Sequence, residues 1–162
     1  MTKRTCFWLA LVLIALPGAA RADDGWFLGA GSSVSSGSAP QSSVGLAFES
    51  RMLPALSLVV RGDYDFQSST NVYRSAVFGM RLRAPFNAVR PWLEAGVGLG
   101  GNASTMDGGM ASSVSIGASA ATSFGFEPFA EARMLRIEHT PGASQLMEYR
   151  LGGQFKFRGE AE

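Results

Sequence analysis

The stretch "EYRLGGQFKF", residues 148–157, decides how this chain is read. Its odd positions are Tyr149, Leu151, Gly153, Phe155 and Phe157, and its even positions are Glu148, Arg150, Gly152, Gln154 and Lys156. Alternation at a period of two marks a β-strand with one apolar and one polar face. In a soluble sheet the Phe face is core. In a membrane barrel it meets lipid and the charges point inward.

The same alternation recurs upstream, and no convincing amphipathic helix follows residue 25. Seven further stretches, at 24–34, 42–50, 55–66, 72–83, 90–101, 111–121 and 127–139, are separated by Gly, Ser, Asn, Pro and Asp clusters. Val44, Leu46 and Phe48 share one face of the second. In the third, Leu56, Leu58, Val60, Tyr64 and Phe66 stand opposite Arg61, Asp63 and Asp65. The fourth sets Ala76, Phe78, Met80 and Leu82 against Arg81 and Arg83. The fifth sets Leu93, Ala95, Val97 and Leu99 against Trp92, Glu94, Gly96 and Gly98. "RPWLEAG" (90–96) and "EPFAEAR" (127–133) repeat one local pattern at the starts of the fifth and seventh stretches. An all-β, eight-stranded antiparallel up-and-down arrangement explains that spacing without a solenoid.

The ends narrow the compartment. A basic start "MTKR", an apolar run "CFWLALVLIAL" and "PGAARA" form a secretory signal peptide over 1–22, with cleavage expected after Ala22. Residues 23–162 then form a single barrel domain. Cys6, the only cysteine, leaves with the signal, so the exported chain has no disulfide and no thiolate chemistry. One histidine, His139, argues against a His-based metal site, and no cofactor is expected. With Lys3, Arg4 and Arg21 removed, 11 of the 14 basic side chains face 13 acidic ones, a net of −2 that gives no case for nucleic acid.

Two architectures fit: a soluble, lipocalin-like binder that is apolar inside, and an outer-membrane barrel that is apolar outside. Three features favour the second. The polar faces mix Gly, Ser and Ala with charges of both signs, which suits a cramped lumen. The strands are long enough for a tilted span. Aromatics (Trp26, Tyr64, Phe66, Phe124, Phe126, Tyr149, Phe155, Phe157) crowd the strand ends as interfacial girdles do. Links such as "GNASTMDGGM" and "TPGASQ" on one rim are polar, whereas "RMLP" and "RAPFNAV" on the other carry Pro or Phe.

The chain resembles the small eight-stranded outer-membrane barrels of the OmpA transmembrane-domain and OmpX type. The resemblance covers the whole mature chain and is most specific in "RLGGQFKF". There Arg150, Gly152, Phe155 and Phe157 fill the places of that group's C-terminal assembly signal, although "RGEAE" follows where the group usually ends. It implies a monomer of the Gram-negative outer membrane, handled by periplasmic chaperones and the barrel-assembly machinery and bounded by lipid and lipopolysaccharide. Some members of the wider fold modify lipid A. The deacylases among them place His and Ser two residues apart, and the residue matching that Ser here is Pro141. His139 is therefore read as a loop residue, and no catalytic residue is assigned.

Folding the hairpins brings Arg81 beside Glu94, and Arg133 near Glu148 and Arg150, with Glu131 deeper and Arg61 in the same layer. These seven are expected to form an interior charge network that plugs the lumen, because buried charges must be paired; a narrow selective pore is the alternative. Arg74 and Arg136 face outward near the external rim and are expected to meet lipopolysaccharide phosphates.

Overall fold

A computed structural model of the chain describes residues 25–35, 41–66, 72–84, 86, 88–102, 108–122, 126–139 and 142–156. The signal-peptide reading (1–22), Phe124, Pro141 and Phe157 lie outside the described residues, as does the side chain of His139. Eight strands form: β1 (Gly25–Ser35), β2 (Gln41–Leu53), β3 (Leu56–Phe66), β4 (Val72–Arg83), β5 (Val89–Asn102), β6 (Gly108–Ala120), β7 (Phe126–His139) and β8 (Gly142–Lys156). Each pairs antiparallel with the next, and β8 pairs with β1, closing an up-and-down barrel. One rim, the terminal rim, carries both strand ends of the seam and the turns after β2, β4 and β6. Its turns are tied to one another, with the Ala121 amide donating to the Ala88 carbonyl at 2.9 Å. The opposite rim, the loop rim, carries the other four links.

The registers fix the geometry. From Gly25 the ladder runs through Glu49, Val59, Gly79, Gly96, Ser113, Leu135 and Leu146, and returns to β1 at Ser35, ten residues along. Ten residues of rise across eight strand spacings give a tilt of roughly 40° and a backbone radius of about 8 Å. A tube that narrow is filled by its own side chains.

The sequence question has a direct answer. Tyr149, Leu151 and Phe155 are exposed, Leu151 at 71%, whereas Glu148, Arg150 and Gln154 are buried. The same inversion holds around the wall, with Leu28, Phe78, Leu82, Leu93, Val97 and Ile116 exposed while Arg61, Arg81, Glu94 and Glu131 are buried. Soluble folds place these residue classes the other way round. A lipocalin-like, apolar-inside barrel is thereby excluded.

Four details differ from the sequence reading. Strand β8 starts at Gly142, with His139 paired to Gly142, so "TPGASQ" shrinks to a two-residue link. Strand β6 likewise takes in Gly108–Met110 from the preceding loop. Tyr149 stands mid-strand rather than in a girdle. Phe48, on the outward parity, is covered, with the Trp26 ring 5.0 Å away. The first two have one cause. Near the loop rim of β7 and β8 the faces exchange polarity, and β6 joins them at Ala111 and Ser112 before the exposed Met110: Ala111, Leu135, Ile137 and Leu146 point inward and are buried, whereas Ser112, Arg136, Glu138 and Gln145 are exposed. A single alternation rule cannot follow a strand through that switch.

At the β8–β1 seam two glycines are required. A Cβ on Gly152 would run into the Leu28 carbonyl and the Phe129 ring, and one on Gly153 into the Phe126 ring that lies across it. Gly152→Val is therefore expected to lower sharply the fraction of chain that reaches the compact, heat-modifiable form on gels, whereas Leu151→Val beside it leaves that fraction unchanged.

Candidate functional site: the charged lumen

The lumen is built from residues of inward parity on every strand. In its terminal half the repeated pattern of β5 and β7 meets itself across β6. Arg90 and Glu127 form an ion pair, the Trp92 and Phe129 rings lie 6.0 Å apart, and Glu94 and Glu131 both accept from Arg61. Arg61 Nη2 donates to Glu131 Oε2 at 2.8 Å and to Glu94 Oε2 at 3.3 Å, while its Nη1 pairs with the other Glu131 oxygen.

From Glu94 the chain of charges continues downward. Arg81, 0% exposed, donates from Nε to Glu94 Oε2 at 3.0 Å and from Nη1 to Glu49 Oε2 at 3.0 Å. Its guanidinium lies 4.3 Å from the Phe27 ring centre and 4.6 Å from that of Trp92, so two aromatic rings flank a cation that two carboxylates also hold. Arg83 donates to Glu49 at 2.8 Å and stands 3.6 Å from Glu127. Acid and base thus alternate without a break from Glu131 through Arg61, Glu94, Arg81, Glu49, Arg83 and Glu127 to Arg90.

A second group forms nearer the loop rim. Arg133 and Arg150 each pair with both Asp63 and Glu148, giving a closed four-membered ring; the pairs to Glu148 measure 3.3 and 3.0 Å. Ser75 donates to Asp63 at 3.2 Å, and Arg150 Nε donates to Ser43 at 3.3 Å. A small cavity between the two groups is lined by Gly45, Arg61, Asp63, Glu131 and Arg150. No cluster of three or more His, Cys, Asp or Glu among the described residues is arranged to hold a metal.

All seven residues named from the sequence as an interior network are buried, and the two groups contain them. Sequence reasoning missed Glu49, Asp63, Arg83, Arg90 and Glu127. Their parity already put them inside, but a search confined to mid-strand depth left out the terminal rim and the far wall. It also missed what encloses the charges. On the terminal side Phe27, Ala47, Val59, Trp92 and Phe129 cluster, and on the loop side Val77, Ala111, Leu135, Ile137 and Leu146.

The other named residues separate. Arg150 belongs to the four-membered ring, Gly152 lies under Phe129, and the Phe155 ring packs outside at 5.1 Å from Phe126. Arg74 is exposed and stands opposite Tyr64 in the ladder. Arg136 is also exposed but is 3.4 Å from Glu138. The His139 backbone stands at the β7–β8 tip, with Ser144 opposite Ile137 further down the hairpin.

Removing one partner from a dry pair leaves the other buried and unpaired, at a cost of roughly 3–5 kcal/mol. Glu94 serves both Arg61 and Arg81. Glu94→Gln is expected to lower the urea midpoint of unfolding in detergent or lipid far more than Glu138→Gln, whose carboxylate is on the outer surface.

No family profile matches the sequence, and no curated protein matches it by sequence. Solved structures do match its fold. Neisserial surface protein A aligns over 83% of this chain and 96% of its own, with a TM-score of 0.68 and 17% identity. The N-terminal β-barrel domain of Pseudomonas aeruginosa OprF aligns over 83% and 100%, with a TM-score of 0.54 and 12% identity. The outer membrane enzyme PagL aligns over 81% and 99%, with a TM-score of 0.52 and 14% identity. Identities this low carry the architecture alone, and one of these proteins is an enzyme, so activity is a matter for the site and not the fold. In architecture the chain is a small eight-stranded transmembrane β-barrel of the outer-membrane type, with an apolar exterior and a lumen rich in buried ion pairs.

Proposed function

We propose that the protein is an integral, non-catalytic component of the Gram-negative outer membrane that contributes a stable wall element and presents its loop rim at the cell surface. One observation carries the reading: the lumen is filled with charges that neutralise one another, and no cluster of His, Cys, Asp or Glu among the described residues is arranged to hold a metal. Residues 1–22 direct export and are removed after Ala22. Periplasmic chaperones and the barrel-assembly machinery then read the C-terminal strand through Arg150, Gly152, Phe155 and Phe157. Arg150 and Gly152 would in that case serve twice, once in recognition and once in lumen packing.

The loop rim faces outward from the cell in this reading, since both chain ends of the barrel share the other rim. Arg74 and Arg136 then lie at the headgroup level, where a lipid-face charge costs little, and engage lipopolysaccharide phosphates. Arg74 is the stronger contact of the two, because Glu138 already offsets Arg136. The protein acts as a monomer.

The test is direct. The membrane-extracted protein is expected to require detergent and to migrate faster unheated than boiled; a detergent-free soluble product would overturn the assignment. Phe157→Ser is expected to impair insertion and expose the chain to periplasmic proteases, while deletion of "RGEAE" has little effect. Arg74→Ser is expected to reduce co-purifying lipopolysaccharide more than Arg136→Ser, and equal retention by wild type and both variants would remove the phosphate contact.

A further inference from the structure

We infer that the loop-side apolar layer inside the barrel, and not the ion-pair network, is the barrier that keeps this lumen from conducting. The inference rests on the membrane-barrel reading above. The layer consists of Val77, Ala111, Leu135, Ile137 and Leu146, each at most 2% exposed, with Tyr73 packed against it.

The comparison with the terminal cluster makes the case. There Arg81 passes between Phe27 and Trp92, so a continuous polar thread from Glu94 to Glu49 crosses the aromatic rings. The fully buried members of the loop-side cluster are all aliphatic, with Tyr73 packed against them and the buried Asp65 opposite Tyr73 in the ladder. Between the two layers the lumen is hospitable to water. Arg61 Nε, Arg133 Nε and Nη2, Glu148 Oε1 and Ser115 Oγ are buried there without a protein hydrogen-bond partner, and Arg61 also lines the small cavity it shares with Arg150. An ion entering from the terminal rim would meet exchangeable charge partners as far as the Asp63–Arg133–Glu148–Arg150 ring. At the next layer, where Val77 and the β6–β8 wall are aliphatic and Asp65 on β3 is the buried carboxylate facing that end, it would have to shed most of its water with little polar in exchange, which is how a hydrophobic constriction blocks a pore. Breaking an ion pair loosens the middle of the lumen and leaves that step untouched.

The exchange of polarity on β6–β8 explains why the sequence can place such a layer inside. Leu135, Ile137 and Leu146 turn inward on the stretch where Arg136, Glu138 and Gln145 take the outer face. There the barrel wall is built as a soluble barrel is, and an apolar interior forms without depriving the lipid face of contacts.

Planar-bilayer recording on the purified full-length mature protein tests this, with heat-dependent gel mobility confirming that each variant is folded. Wild type and Glu94→Gln are expected to be silent. Leu135→Ser with Leu146→Ser is expected to raise conducting events by roughly tenfold or more over wild type, since polar groups wet a hydrophobic gate. Val77→Thr with Ile137→Thr, which keeps β-branching at both positions, is expected to do the same and covers the case in which the serine pair fails to fold. Folded apolar-layer variants that stay silent would overturn the inference. So would conduction by Glu94→Gln alone, or by the wild type. A protein that needs no detergent and shows no heat-dependent mobility would instead indict the membrane assignment, and the two failures are thereby told apart.

Discussion

Closure is the constraint from which the rest follows. In hydrocarbon no water satisfies a free amide, so every strand must have two neighbours, and the β8–β1 ladder supplies the last pair. Eight strands with a ten-residue stagger leave a lumen too narrow for bulk water, and into it the alternation drives seven carboxylates: Glu49, Asp63, Asp65, Glu94, Glu127, Glu131 and Glu148. Five buried arginines face them, with Arg51 and Arg90 half-buried toward the terminal rim. Each guanidinium has several donors in a fixed fork, so one arginine can join carboxylates from different strands. Arg81 does this between β2 and β5, and Arg61 between β5 and β7. The network therefore cross-braces walls that share no backbone hydrogen bond.

The scarcity of lysine has the same origin. Lys156 is the one lysine after residue 22. A lysine in this lumen would present a single ammonium where Arg81 uses all three of its nitrogens on Glu49 and Glu94 and lies against the Phe27 ring. On the outside, facing lipid, it would be costly at the midplane. Neither face has a use for it.

Strand existence and facing were legible in the sequence because a period of two survives in any register. The fourth strand, Val72–Arg83, was bounded to the residue, and the neighbours Arg81 and Glu94 follow from folding one hairpin. Contacts across the lumen were not legible. Asp63 meets Arg133 and Arg150 only after the stagger has brought β3 opposite β7 and β8, and the stagger is a property of the closed ladder, not of any one strand. "RPWLEAG" and "EPFAEAR" show both sides of this. Their likeness was visible, but its use, with Arg90 on Glu127, Trp92 on Phe129 and two glutamates on Arg61, depends on β6 holding the two strands one place apart.

The polarity exchange near the loop rim gives the hydrophobic pattern a second meaning. Along most of the wall an outward apolar residue reports lipid. Beyond Met134 on β7 and Met147 on β8 the outward positions become Arg136, Glu138, Gln145 and Ala143, while the buried inward ones are Leu135, Ile137 and Leu146. The change occurs on neighbouring strands at paired positions, since Arg136 stands opposite both Ser112 and Gln145. The boundary runs across β7 and β8 and touches β6 only at Ser112, before the exposed Met110, a placement that suits the edge of a hydrocarbon layer. Strand β3 does not switch: Tyr64 and Phe66 remain exposed and Asp65 buried up to its loop end. Arg74, opposite Tyr64 on the neighbouring β4, is nonetheless exposed at that level, and the lumen's aliphatic layer draws Leu135, Ile137 and Leu146 from the β7–β8 side. The side of the barrel whose outer face turns polar is the side that supplies apolar residues to its interior.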